Sequence, residues 1–117
     1  MKKSMVYDKA FELAVKIVQY CRWLKQQHEY ELAKQLLRSG TSVGANLAEA
    51  NGAVSENDFS SKISIAYKET LETKFWMDLL KEVELLDDAQ HRLLHADADE
   101  IAKMLFSILK TTRISKQ

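Results

Sequence analysis

The sequence predicts an all-α protein, an up-down-up-down antiparallel four-helix bundle that assembles into a homo-oligomer. Three observations carry the prediction. Across 117 residues there is no proline and there are only three glycines, Gly40, Gly44 and Gly52. Those two residue types punctuate sheets and long loops, so their scarcity implies long helices with short connections. Apolar residues recur at helical spacing in four successive blocks. One block carries two apolar stripes, more than its own bundle can cover.

Helix one is expected over about residues 8–26. Tyr7, Phe11, Ala14, Val15, Val18 and Cys21 fall on one arc, extended by Ala10 and Ile17, at about 100° per residue. Gln26 to Glu29 reads as a short turn. Helix two, about 29–50, carries Leu32, Leu36, Gly40, Val43, Leu47 and Ala50 at steps of four, four, three, four and three, a bundle seam. Gly52 stands where a helix C-terminal glycine belongs. Ser55 with Asp58 forms a capping-box-like start. Helix three follows over about 55–86, roughly 45 Å long, with Phe59, Ile63, Ala66, Thr70, Thr73, Met77 and Leu80 as its seam. Asp87 with Gln90 opens helix four, about 88–113, whose seam is Leu94, Ala98, Ile101, Leu105, Ile108 and Thr112. Four amphipathic helices joined by short turns pack as antiparallel neighbours in a single domain spanning 1–117.

The second stripe lies on helix three. Leu71, Phe75, Leu79 and Leu86 stand opposite its seam with Tyr67 beside them, and helix two adds a smaller counterpart, Leu37, Gly44 and Ala48. A large apolar stripe facing water marks an interface, here with further copies of the chain.

Helix two also holds polar residues towards its core. Ser39 and Asn46 fall inside the buried arc and Glu49 at its edge, while Gly40, Gly44, Ala45 and Ala48 remove bulk. Hydrogen bonds from Asn46 and Glu49 across to Thr70, Thr73 or Lys74 would satisfy these groups and set helix register.

Seventeen basic residues balance seventeen acidic ones. Proteins that live on phosphate contacts carry a basic surplus, so the total argues against indiscriminate nucleic-acid binding. A local basic end remains. Lys2, Lys3 and Lys9 should converge with Lys110, Arg113 and Lys116, diluted by Glu49, Glu56 and Asp58. The opening Met-Lys-Lys-Ser-Met-Val-Tyr-Asp lacks the apolar run of a signal peptide. With no span of membrane length and a single cysteine, the expected location is cytoplasmic.

Catalytic and metal chemistry find little footing. Asp88, His91, His95 and Asp99 share a stripe with metal-compatible histidine spacing. They sit in the first turns of a helix, where acidic side chains favour the dipole, and read as a solvated helix start. A di-iron bundle needs two Glu-x-x-His motifs, and the sequence has none. Cys21 on a core arc, without a basic group to activate it, reads as a small hydrophobe. Trp23 and Trp76 fall off the seams, as boundary or interface residues. No cofactor and no small-molecule substrate are expected.

The stretch RSGTSVGANLAEANG at 38–52 carries a resemblance. It is similar to the Arg-Ser-x-x-Ser-Val-x-x-Asn-Ile-Ala-Glu-Gly-like segment of the four-helix-bundle proteins named for the 23S rRNA intervening sequence. The matching residues are Arg38, Ser39, Ser42, Val43, Asn46, Leu47, Ala48 and Glu49. The likeness covers nearly the whole chain: Tyr7-Asp8-Lys9-Ala10-Phe11 at the start, Phe59, Glu69 to Glu72, and Glu100 to Leu105. It departs at Ala50-Asn51-Gly52, where the family commonly has Glu-Gly directly. The resemblance implies a homopentamer of bundles without known catalysis, carrying a ribosomal label because some members are encoded within 23S rRNA genes. The accessory protein of diversity-generating retroelements, which binds RNA and a reverse transcriptase, is similar in fold. The expected function is a binding platform for RNA or a nucleic-acid-handling protein. The other reading is a protein–protein scaffold that touches no nucleic acid.

Overall fold

The structure, a computed structural model, describes residues 4–116, with side chains given through residue 112. Among the described residues the regular structure is four helices and no strand: α1 (Met5–Gln26), α2 (Tyr30–Asn51), α3 (Glu56–Glu82) and α4 (Asp88–Lys116). Each helix packs on the next and α4 returns to α1, so α1 and α3 occupy opposite corners of a square. The cross-helix partners run in opposite senses. Lys9 meets Glu100 and Lys16 meets Asp97. On the next side Arg38 meets Glu69 and Glu49 meets Lys62. Neighbouring helices are therefore antiparallel in a body of 48 × 21 × 21 Å.

The starts follow from side-chain caps. Ser4 accepts a hydrogen bond from the Tyr7 N–H at 3.2 Å and begins α1 three residues earlier than expected. The Ser55 hydroxyl accepts from Asp58 N–H at 3.0 Å, and the Asp58 carboxylate accepts in turn from Val54 N–H at 3.2 Å. Asp87 accepts from Gln90 N–H at 2.7 Å. Each cap satisfies an N–H that the first helical turn leaves without a partner.

Two helix ends use a left-handed residue that is not glycine. His28 (φ 63°) and Glu84 (φ 64°) each stand one residue beyond the helix C-cap. Around them Glu29 N–H bonds Leu24 carbonyl at 3.0 Å and Leu85 N–H bonds Leu80 carbonyl at 2.9 Å, the six-to-one bond of a Schellman closure. Helix three accordingly stops at Glu82 rather than Leu86. The chain reverses at Glu84, and Leu86 folds back into the core, buried. Its expected place on the outer stripe is corrected by that turn. Gly52 is a C-cap with φ −102°, so its position does not use the left-handed region.

The α3 seam is buried from Ile63 to Leu80, with Phe59 half-buried, and α2 buries Leu36, Gly40, Val43, Leu47 and Ala50. Helix one is rotated from its expected arc. Val6, Ala10, Leu13, Ile17, Tyr20, Cys21 and Leu24 face the core, whereas Phe11 and Val15 are exposed. Apolar residues cover well over half of this helix, so periodicity alone did not separate the inner face from its flank. Gly40 makes room for one of these inward residues. A Cβ there would lie 2.6 Å from the Ile17 Cδ1, so the bare glycine lets Ile17 seat between α1 and α2.

Candidate interaction surface

The outer face of α3 is set by its seam. With Ile63, Ala66, Thr70, Thr73, Met77 and Leu80 inside, Leu71 and Phe75 must point away, and they are 42% and 56% exposed. Leu79 and Tyr67 are half-buried on either side. Tyr67 packs against Phe106 of α4 with ring centres 5.9 Å apart, and Phe75 meets Trp76 edge-on at 5.0 Å. The stripe is thus an ordered aromatic ridge.

A charged frame borders it. Trp76 Nε1 donates to Glu72 at 2.9 Å, and Arg38 of α2 bridges Glu72 and Glu69. The Trp76 hydrogen bond, followed by the Arg38 guanidinium, holds Glu72 below the usual glutamate value of 4.5. Sequence reasoning placed Trp76 off the seam and missed this network. The signal was present in Arg38 and the Glu69–Glu72 pair, both inside the quoted resemblance.

The five residues expected to form a buried polar register divide. Ser39, Thr70 and Thr73 are fully buried. The Ser39 and Thr73 hydroxyls share a hydrogen bond of 3.0 Å across α2 and α3, and each also reaches a carbonyl of its own helix. Thr70 turns to the Ala66 carbonyl at 2.8 Å, within α3. Asn46 does not cross the gap; its amide donates to the Ser42 carbonyl at 2.8 Å and hydroxyl at 3.0 Å. Glu49 is exposed and reaches α3 at Lys62, 2.7 Å away, not at the threonines. Lys74 belongs to Asp99 of α4. Asn46 and Glu49 are therefore surface and boundary groups, because α2 turns Val43 and Leu47 inward and leaves them towards its α3 flank and outside.

On α2, Leu37 and Gly44 are half-buried and Ala48 is exposed. Gly44 adjoins α1, where a Cβ would sit 3.9 Å from the Ala10 carbonyl, in ordinary contact. Phe11 lies on the neighbouring flank of α1 against Tyr7, ring centres 6.2 Å apart. Sequence reasoning read Phe11 and Val15 as core and so missed that the α1–α2 side is itself an exposed apolar surface.

Of the expected basic end, Lys2 and Lys3 lie outside the described residues, as do the side chains of Arg113 and Lys116. Lys9 pairs with Glu100 at 2.9 Å, and Lys110 is exposed. The α4 end does reach the α2–α3 turn: Thr111 and Thr112 line a cleft with Asn51, Val54 and Glu56. The histidine stripe is engaged by α3. His91 Nε2 lies 2.8 Å from Asp78 Oδ1 and His95 Nε2 3.8 Å from the same oxygen, while Asp99 accepts from Lys74. Among the described residues no group of three or more His, Cys, Asp or Glu side chains could hold a metal ion. Burial pushes the Cys21 thiol up to about 11, the opposite of an activated nucleophile. No helix among the described residues is long and apolar enough to cross a membrane.

Comparison with known proteins adds a family. Residues 2–107 match the model of the 23S rRNA-intervening sequence protein family. A crystal structure of a protein with unknown function, from the S23 ribosomal protein family of Bacteroides thetaiotaomicron, shares 45% sequence identity. It superposes with a TM-score of 0.88, over 91% of this chain and 99% of that one. No curated protein matches.

Proposed function

Starting from the fact that this chain belongs to the 23S rRNA-intervening sequence protein family, we propose that it acts without catalysis, as a self-associating platform that binds RNA or a nucleoprotein partner. The observation that carries the reading is the aromatic ridge of α3, with Leu71 and Phe75 about half open to water. Apolar surface in one ordered stripe is what a monomer avoids and an interface uses. A second, unlike surface lies on the α1–α2 side, where Phe11 of α1 is exposed and the small residues Gly44 and Ala48 remove bulk from α2. Because α1 and α3 stand at opposite corners, ridge-to-flank contact between copies is head-to-tail and closes into a ring at a suitable rotation. The pentamer implied by resemblance is such a ring. It would repeat the Lys110 end around one rim, where weak phosphate contacts gain from multivalency.

A pure protein–protein scaffold is the second reading. Lys9 already neutralised by Glu100, together with a net charge of zero, favours it. Titration of labelled structured RNA at low and moderate salt separates the two. The platform predicts saturable binding that weakens steeply as salt rises; no binding at low salt leaves the scaffold.

A further inference from the structure

At the end of the bundle that holds the C-terminus of α1, the α3–α4 turn and the start of α4 border, together with α1, a cleft of about 1010 Å³. Its apolar wall is built from Tyr20, Trp23, Leu86, Leu93 and Leu94. This wall is held in place. Tyr20 is buried, its hydroxyl donates to the Leu85 carbonyl at 2.6 Å, and its ring stacks on Trp23 at 5.8 Å and 24°. Trp23 nonetheless stays 42% exposed and Leu93 69% exposed. They stand on opposite sides of the opening, on α1 and α4, where no neighbour within the bundle covers them.

The rim is acidic. Glu84, Asp87 and Asp88 border the cleft on the turn side, opposed there by Lys81, while Lys16 on the α1 side is drawn to Asp97 at 2.9 Å. The volume stands at the top of the range for small-molecule pockets, roughly 300–1,000 Å³, and the cleft is open along one side. An exposed aromatic and a leucine flanking a shallow, preordered floor match the anchor site of a protein segment better than an enclosed metabolite pocket.

We propose that this cleft receives a basic amphipathic segment of a partner protein, its apolar side chain seated between Trp23 and Leu93 and its cations facing Glu84, Asp87 and Asp88. Charge complementarity selects the occupant: an acidic rim around an apolar floor repels phosphate and acidic peptides and attracts lysine-rich ones. The site rests on the platform reading for its purpose. It gives a bundle of zero net charge a way to hold a basic, nucleic-acid-handling protein without carrying a basic surplus itself.

The test uses the full chain and two fluorescein-labelled amphipathic peptides with the same leucine and phenylalanine face, one lysine-rich and one glutamate-rich on the other face. Anisotropy should show the lysine peptide binding at least about tenfold more tightly, with affinity falling as salt rises. Leu93→Ser, an exposed change that leaves the helical circular dichroism intact, should weaken the lysine peptide by about tenfold or more. Glu84→Lys should weaken it too and strengthen the glutamate peptide. Equal affinity for the two peptides, no binding of either, or indifference to Leu93→Ser would overturn the assignment. A fall in solution mass on Leu93→Ser would overturn it as well, by making the occupant another copy of the chain. RNA titration reports separately: peptide binding without RNA binding leaves the cleft standing and removes the RNA platform, and the reverse removes the cleft alone.

Discussion

Gly40 and Gly44 look alike in the sequence but differ in what surrounds them. A methyl at Gly40 would meet Ile17 Cδ1 at 2.6 Å and Cγ2 at 3.1 Å, whereas one at Gly44 makes ordinary contact with Ala10. Alanine favours a helix over glycine by about 1 kcal/mol, while overpacking costs about 1–3 kcal/mol. Gly40→Ala should therefore lower the unfolding midpoint in urea, and Ile17→Val should recover part of the loss by removing the clashing methyl. Gly44→Ala should raise it. Ser39 and Thr73 form a second pair to test. Thr73→Val removes a buried hydrogen-bonding group of similar shape and should cost about 1 kcal/mol. Adding Ser39→Ala should cost less than its effect alone, since the two hydroxyls share one bond. The pH dependence has a definite sign at Glu72. Its carboxyl is held below 4.5 by Trp76 and Arg38, so its contribution is present above that pH and is lost as pH falls through the lowered value. Thermal melts between pH 7 and 3 should show Glu72→Gln losing less stability on acidification than the parent protein.

At the scale of elements, the ends of α1 and α2 and the caps at Ser55 and Asp87 were legible, and the end of α3 was not. Ser55–Asp58 and Asp87–Gln90 have the spacing of an N-cap and bond as that spacing predicts. The closure at Glu84 carries no glycine, the residue that most readily takes a left-handed turn, so α3 read four residues too long and Leu86 was placed outside. Left-handed backbone strains an L-residue by about 1–2 kcal/mol. Glu84→Gly should relieve most of it and raise the melting temperature by several degrees, as differential scanning calorimetry would record. Helix two and helix three each have one seam interrupted by small or polar residues, and their buried faces were readable. Helix one is apolar over too wide an arc for that. Its inward face is not marked by period, and Ile17, one of the inward residues, seats against Gly40 of a different helix.

The whole molecule combines a closed core with an open ridge. Sides α1–α4 and α2–α3 are laced by ion pairs, Lys9–Glu100 and Lys16–Asp97 on one, Arg38–Glu69 and Lys62–Glu49 on the other. Charges that already have partners in their own bundle have little to offer a neighbour. Leu71 and Phe75 on the α3 ridge and Phe11 on α1 are apolar side chains left exposed, and the proposed head-to-tail assembly would use them. The ridge was legible because a seam of known period leaves its opposite side determined; the flank was hidden behind the ambiguity of helix one. Multi-angle light scattering of the full chain is the most direct measurement. The parent protein should elute as a multiple of its 13.5 kDa chain mass, and Phe75→Asp should elute as a single chain with its helical circular dichroism unchanged. A parent protein of 13.5 kDa in solution, with Leu71 and Phe75 facing water, would contradict the account.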